Sequence, residues 1–442
     1  MKTIESACEK IFRLAGKVQC EVTAETKDSA LTRFADNVIS QNVAVASTDF
    51  SVRLSDGGRT ARVNFNQAGA ASLESSVKLG LDLLRRQKKD PGLPPLPKPR
   101  PLAAGSRTYF AETAGLDPAF RARKARDLAL ACKKAGQTAC GTFETGCNEV
   151  VIANSLGVFA RHKTSLAEYS VTVKDGDGSG WAEYSAFDAS AIPFGELNAR
   201  ARAKAAGSRA PRDIKPGKYT VILEPQAAAD LLAYLAIYGF GGQFYNEGQS
   251  FASGNLGKKL LSPLLSMEDN ALDGAAPGLP FDYEGQPRQK VTLADRGVLR
   301  AVVHDRRTAK AAGAASTGHA LPQPSAMGPI PLNLSVKPGT GTLEDLIKGA
   351  GRAILVTQFH YTNLLKPRSV EMTGMTRNGT FLVEDGKISY PVKNLRFTQS
   401  MVDAFSRVEA IAGAAVPCVT WGRMACPAMR LGDFNFSSAT KF

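Results

Sequence analysis

Histidine is scarce in this chain, with four in 442 residues and none between His162 and His304. Imidazole ligands are therefore absent from 163–303, so that stretch by itself offers no histidine to a metal centre. No apolar run approaches the roughly 20 residues that a membrane-spanning helix needs. The start, MKTIESACEKIFRLAG, lacks the apolar core of a signal peptide. It reads instead as an amphipathic helix with Ile4, Cys8, Ile11 and Ala15 on one side. The seven cysteines contain no CxxC and form no dense framework, which fits a reducing compartment and gives a cytoplasmic expectation. The basic stretches carry no interleaved aromatics, and no helix-turn-helix or RNA-binding signature occurs. The net charge of +14 therefore implies a solvated basic surface, or one facing an acidic peptide or partner, rather than a nucleic-acid site.

What is present is an ordinary globular composition, 43% hydrophobic and 22% charged, long enough for two or three cores. After the first helix, period-two alternation predicts strands at Val18–Glu25, Ala30–Phe34, Asn42–Ala46, Phe50–Leu54 and Arg59–Phe65. Lys27-Asp28, Asp36-Asn37 and Asp56-Gly57-Gly58 mark the turns, so an antiparallel meander follows. A helix from Ala71 to Lys89, with Leu73, Val77, Leu81 and Leu84 inward, covers one face. The six prolines in 90–101 make an extended connector. Asp117-Pro118 and Gly136 bracket a further helix. Strands resume at Glu149–Asn154, Val158–His162 and Ser165–Lys174. DGDGSG (175–180) lacks the bidentate Glu of a calcium loop and reads as a hairpin turn. A polar helix at Phe194–Gly207 leads to a boundary near residue 212, giving an N-terminal α+β unit (1–212) and a β-rich unit (213–442).

The second unit is organised around Tyr219–Gly257. Tyr219–Leu223 alternates as a strand, and Pro225 suits the first turn of a helix that runs to about Tyr238. Leu231, Tyr234, Leu235 and Tyr238 fall on one face, with Ala229, Ala233 and Ala236 on a second, so the helix is buried on most sides. Gly239, Gly241 and Gly242 are expected to end it through the left-handed conformation open to glycine. Short strands follow in VTLADRGVLRAVVHD, RAILVTQFHY, GTFLVEDGKISYPV and NLRFTQSM, while Pro322–Pro331 is a long loop.

This helix and the segments after it resemble the TldD/PmbA family. GQSFASGNLGKKL (248–260), FDYEGQP (281–287), RGVL (296–299), STGHA (316–320) and TRNGTFLVEDGKISYPVKNLRF (376–397) stand in the family's order. LTRFADNVISQN (31–42) resembles its N-terminal stretch, and PAMRLGDFNFSS its closing strand. Zinc-bearing members carry HExxxH on the helix. The resemblance lays Ala233 on the first His, Tyr234 on the Glu and Tyr238 on the second His. Alanine has no ligand atom, and a phenol with a pKa near 10 is a poor replacement for imidazole or carboxylate.

The resemblance thus implies the metal-free TldE/PmbA branch, with no cofactor here and zinc in members with the intact motif. It implies a peptidase system acting on unfolded or modified peptides. This chain would pair with a zinc-bearing homologue, or with itself as a homodimer, and wall part of a cleft for extended peptide. Tyr245, Ser250, Phe251, Ser253 and His319 are candidate cleft-lining residues. Cys418 or Cys426 would be the remnant of a family zinc ligand, or a buried apolar thiol. Two other readings are a homodimeric peptide-binding scaffold and a hydrolase with a relocated site, using Ser250 or Ser253 with His319 or His360. His304, Asp305 and His319 are also weighed as a new metal site against ordinary hydrogen-bonded histidines.

Overall fold

Period-two alternation in the first part of the chain produces long antiparallel strands whose two faces meet different neighbours. The computed structural model describes residues 2–272 and 274–440. Its first sheet holds β1 (Gln19–Ala35), β2 (Val38–Asp56), β3 (Arg59–Phe65), β4 (Thr138–Asn154), β5 (Phe159–Asp175) and β6 (Gly178–Ala186) in the order β3-β2-β1-β4-β5-β6. All neighbours are antiparallel. Helices α1 (Lys2–Ala15), α2 (Ala70–Arg86), α3 (Ala111–Ala114), α4 (Pro118–Lys134) and α5 (Phe194–Gly207) accompany it. Cys20, Val22 and Ala24 of β1 pack with Ile11 of α1 and with Leu73 and Val77 of α2. Phe34, Phe143 and Tyr169 pack with Leu128 of α4 and Leu197 of α5. Each such aliphatic or aromatic side chain contributes about 1.5–3 kcal/mol by leaving water.

The alternate positions of β1 face the rest of the chain. Glu21 is fully buried there, bonded by Arg53 Nε and Nη2 at 3.0 and 2.7 Å, and Arg53 Nη2 also lies 3.5 Å from Glu284 Oε1. This network fixes the loop carrying residues 281–288 against the first sheet.

The turns at Asp36-Asn37, with φ of 50 and 62°, at Asp56–Gly58 and at 175–178 lie where the sequence puts them. Lys27-Asp28 is not a turn. Lys27 pairs with Ser47 on one side and Asn148 on the other, so β1 runs through a stretch whose polar side chains stand exposed on a strand with its backbone paired. The runs 158–162 and 165–174 likewise merge into β5, β4 begins at Thr138, and β6 is an additional strand.

The second sheet is built from β7 (Gly217–Leu223), β8 (Met267–Asp269), β9 (Val291–Asp295), β10 (Val298–Leu299), β11 (Asn333–Val336), β12 (Arg352–Lys366), β13 (Glu371–Glu384), β14 (Lys387–Pro391), β15 (Leu395–Ser400), β16 (Val408–Val419) and β17 (Arg423–Ala439). Around it lie α6 (Pro225–Phe240), α7 (Gly242–Asn246), α8 (Arg306–Ala312), α9 (Leu343–Lys348) and α10 (Met401–Ser406). The path is β10-β9-β8-β11-β17-β15-β13-β12-β7, and β17 pairs again with β7. The pairings β7-β12-β13-β15-β17-β7 therefore close a ring. Phe359, Phe397, Phe434 and Phe436 contact one another within the same core. The architecture is α+β, with an antiparallel N-terminal sheet and a larger β-rich C-terminal sheet beside the buried helix α6. Among the described residues no helix is long and apolar enough to cross a membrane.

Candidate functional site

Helix α6 begins where Pro225 occupies the first turn after β7 and ends at Gly241. Leu231 and Leu235 have no exposed surface, and Ala227, Ala228, Ala229, Leu232 and Ala236 are buried with them. The glycines after it work differently from the left-handed cap expected. Gly241 is extended at φ −73°, ψ 128°, and neither Gly239 nor Gly242 has positive φ. Close approach explains them. A Cβ on Gly239 would lie 2.1 Å from Phe251 Cε1, and one on Gly242 would lie 2.5 Å from the Val303 carbonyl oxygen.

The three motif positions meet an aromatic cluster. Ala233 is 2% exposed. The Tyr234 hydroxyl donates to the Thr362 carbonyl at 2.9 Å, and its ring lies 6.1 Å from that of Tyr238 at an interplanar angle of 19°. Trp421 meets Tyr234 edge-on at 5.8 Å, and Phe244 lies 4.8 Å from Tyr238. Both tyrosines remain half-buried and Trp421 is 52% exposed. Burial, with Tyr234 beside it, raises the Tyr238 phenol above its ordinary range. These residues do not fit zinc: Ala233 is a methyl with no ligand atom, and Tyr234 and Tyr238 offer phenols in place of imidazole and carboxylate, the Tyr234 hydroxyl already bonded to a carbonyl. Cys418 and Cys426 are buried, and burial raises both thiols above their ordinary range. Among the described residues no three His, Cys, Asp or Glu side chains converge as a metal site.

Asp230, one turn before Ala233, was not singled out in the sequence, although it is the one acid in an otherwise apolar helix. Gln226 Nε2 donates both to Asp230 Oδ1 and to the Val419 carbonyl, each at 2.9 Å. Burial pushes the Asp230 carboxyl from 3.8 up to about 7; the Gln226 bond opposes this and Glu183 of β6 adds to it. Glu183 is itself pushed up to about 7, by burial and then by Glu168. The folded state thus keeps protons that the unfolded chain has lost. Their stabilisation is full below about pH 4 and is lost as pH rises through 7. Unfolding free energy measured by urea denaturation between about pH 5 and 8 is expected to fall less steeply for Asp230→Asn than for the natural chain. Parallel curves would remove Asp230 from that account.

The loop candidates are held by backbone. Ser250 is buried; its hydroxyl donates to the Gly239 carbonyl at 2.5 Å and accepts from the Ala252 amide. Ser253 donates to the carbonyl of Tyr245, which lies half-buried in α7. Phe251 packs edge-on against Phe240 at 5.5 Å. His304 Nδ1 meets Thr308 Oγ1 at 3.2 Å, while Asp305 caps α8 by accepting from the Thr308 amide. His360 contacts Arg377 and the Tyr361 ring. No hydroxyl of Ser250 or Ser253 is bonded to a histidine, so no nucleophile–base pair forms.

His319 belongs to a different constellation, centred on Asp269. Asp269 receives Arg288 Nη2 at 2.5 Å, His319 Nε2 at 2.9 Å and the amides of Leu332 and Asn333 at 2.7 and 2.8 Å. Although burial opposes ionisation, Arg288 and His319 hold its carboxyl well below the usual range. Burial lowers the His319 imidazole, and Arg288 beside it acts in the same direction. With Nδ1 at 2.9 Å from Thr317 Oγ1, both ring nitrogens are occupied. His319 and Arg288 line a cavity of about 480 Å³ between the first sheet, which contributes Glu25, Lys27 and Asp49, and the segments at 277–283 and 422–423. Arg423, stacked 3.8 Å over Phe187, joins that wall to the hairpin carrying Trp421. Trp421, Asp269 and Arg288 carried no local sequence pattern, because partners on other segments of the chain, 19 residues away for Arg288 and Asp269 and 50 for His319 and Asp269, bring them together.

Residues 216–438 match the C-terminal domain described as PmbA/TldA metallopeptidase, and residues 113–212 match the central domain of the same description. A metalloprotease TldD homologue of Buchnera aphidicola is 26% identical over 44% of this chain and 41% of its own length. A metalloprotease PmbA homologue of Haemophilus influenzae is 29% identical over 46% of this chain and 43% of its own. The chain spans less than half the length of each of these relatives. The crystal structure of TldE from Thermococcus kodakarensis superposes with a TM-score of 0.87 at 17% identity, covering 99% of this chain and 100% of that one, a likeness of fold.

Proposed function

This chain belongs to the PmbA/TldD family, and we propose that it is the metal-free member of a two-component peptidase system acting on unfolded or modified peptides. In this reading a zinc-bearing homologue supplies the metal and the general base. This chain supplies wall and aromatic surface for an extended peptide in the cytoplasm, and its two units meet near residue 212. The observation that carries the reading is the face of α6. Where catalysis by a metallopeptidase needs three side chains with metal or proton chemistry, Ala233, Tyr234 and Tyr238 offer a methyl and two stacked phenol rings. Exposed Trp421 and half-buried Phe244 extend that face, which suits contact with apolar peptide side chains.

The test is reconstitution. The chain alone is expected to leave a reduced, unfolded polypeptide intact, and coexpression with a zinc-bearing homologue to give chelator-sensitive cleavage. Trp421→Ala in the pair is expected to raise KM several-fold with an unchanged melting temperature. Chelator-insensitive cleavage by the chain alone would sink the proposal. Failure of any zinc-bearing homologue to copurify, with a stable homodimer instead, would favour a peptide-binding scaffold.

A further inference from the structure

A second surface lies away from α6, between helix α4 and the tip of the β1–β2 hairpin. Its space, about 500 Å³, is floored by Phe34, Ala125 and Ala129. Its sides are Val38, Ile39 and Leu130, which are 59, 39 and 57% exposed. On α4 the lining positions Ala122, Arg126, Ala129, Leu130 and Lys133 recur at helical spacing, so one face of the helix forms one wall. The small residues keep that wall low enough for incoming side chains to seat.

The rim carries one sign of charge. Arg123, Arg126 and Lys133 line the groove and are exposed, and no acidic side chain lines it. None of the three makes an ion pair among the described residues. Elsewhere on the surface Lys and Arg commonly find a carboxylate, as Lys10 does with Glu74 and Arg430 with Glu409. An apolar channel bordered by unpaired cations is complementary to an apolar stripe bordered by carboxylates. From Ala119 to Lys133 the helix offers roughly 20 Å, the length of about four turns of a second helix. Nucleic acid fits poorly, since the single aromatic of the lining, Phe34, is 1% exposed and presents no stacking face.

We propose that this groove docks an acidic amphipathic helix of a partner protein, its apolar stripe against Val38, Ile39 and Leu130 and its carboxylates against Arg123, Arg126 and Lys133. The inference is independent of the peptidase reading and uses none of its residues.

The probes are two fluorescein-labelled peptides of about four helical turns, with the same leucine stripe flanked by Glu in one and by Lys in the other. Fluorescence anisotropy on the full chain is expected to show binding of the Glu peptide only. Leu130→Asp and the double variant Arg123→Glu/Arg126→Glu are each expected to weaken it by about tenfold or more, and the double variant to gain affinity for the Lys peptide. These are surface changes, and an unchanged thermal melt confirms that each variant is folded. Equal binding of both peptides, no binding of either, or insensitivity to the variants overturns the proposal. So does displacement of the Glu peptide by a single-stranded oligonucleotide, which would make the groove a polyanion site. A dimer in sedimentation that Leu130→Asp dissociates would assign the groove to a second copy of this chain, and also overturns it.

Discussion

Replacing Glu224 by Gln lowers the unfolding free energy by about 3–5 kcal/mol. Glu224 closes β7 and stands at the N-cap of α6, yet its carboxylate does not cap the helix. Both oxygens instead take Lys204 Nζ of α5 at 2.5 Å, with Thr357 Oγ1 3.1 Å from the same nitrogen. Glu224 is 7% exposed, so the pair sits where two separated charges would each be expensive. Burial lowers the Lys204 ammonium from its ordinary range, and Glu224 is what opposes that shift. Gln keeps the shape but leaves the cation without a counter-charge. A double variant that also carries Lys204→Met removes both charges and is expected to recover most of the loss, since an apolar pair of similar volume is often neutral or better. Urea denaturation of the single and double variants checks this. A single variant within error of the natural chain would mean that solvent reaches the pair.

Truncating Leu235 to Ala costs about 2–5 kcal/mol. Leu235 and Leu231 have no exposed surface and lie in the cluster that joins α6 to Leu223, Phe359 and Phe405. The loss combines transfer of the deleted carbons with the cavity left in a close-packed interior. Neighbours supplied by paired strands relax little. The melting temperature should fall clearly, whereas Leu130→Ala, at an exposed position, should move it within error. Equal small shifts for both would place the Leu231/Leu235 stripe outside the core.

Helix α6 was legible because Pro225, the leucine stripe and the alanine face agree with one another. The strand turns at Asp36-Asn37 and Asp56–Gly58 were legible because only short polar residues and glycine accept their backbone. Lys27-Asp28 misled for a physical reason. Polar residues mark turns when the backbone needs water, but β1 has its backbone paired on both sides, and its side chains can be polar wherever the sheet faces solvent. The glycines after α6 were recognised as a stop, but their cause lies in Phe251, Val303 and His304 packing against them, which no local pattern encodes. The candidate site divides similarly. Ala233, Tyr234 and Tyr238 are singled out by the resemblance that lays HExxxH on the helix. Trp421, Asp269 and Arg288 enter through pairings of distant strands and loops, which composition and spacing do not carry.

The measurement that bears most directly on the metal-free reading is the zinc content of the purified chain after exhaustive dialysis. The account predicts well below one zinc per chain, because α6 presents Ala233, Tyr234 and Tyr238 and because among the described residues no three His, Cys, Asp or Glu side chains converge, Cys418 and Cys426 included. About one zinc per chain, retained in Cys418→Ala/Cys426→Ala, would contradict it, since a site with the usual three or four protein ligands would then exist elsewhere in the fold.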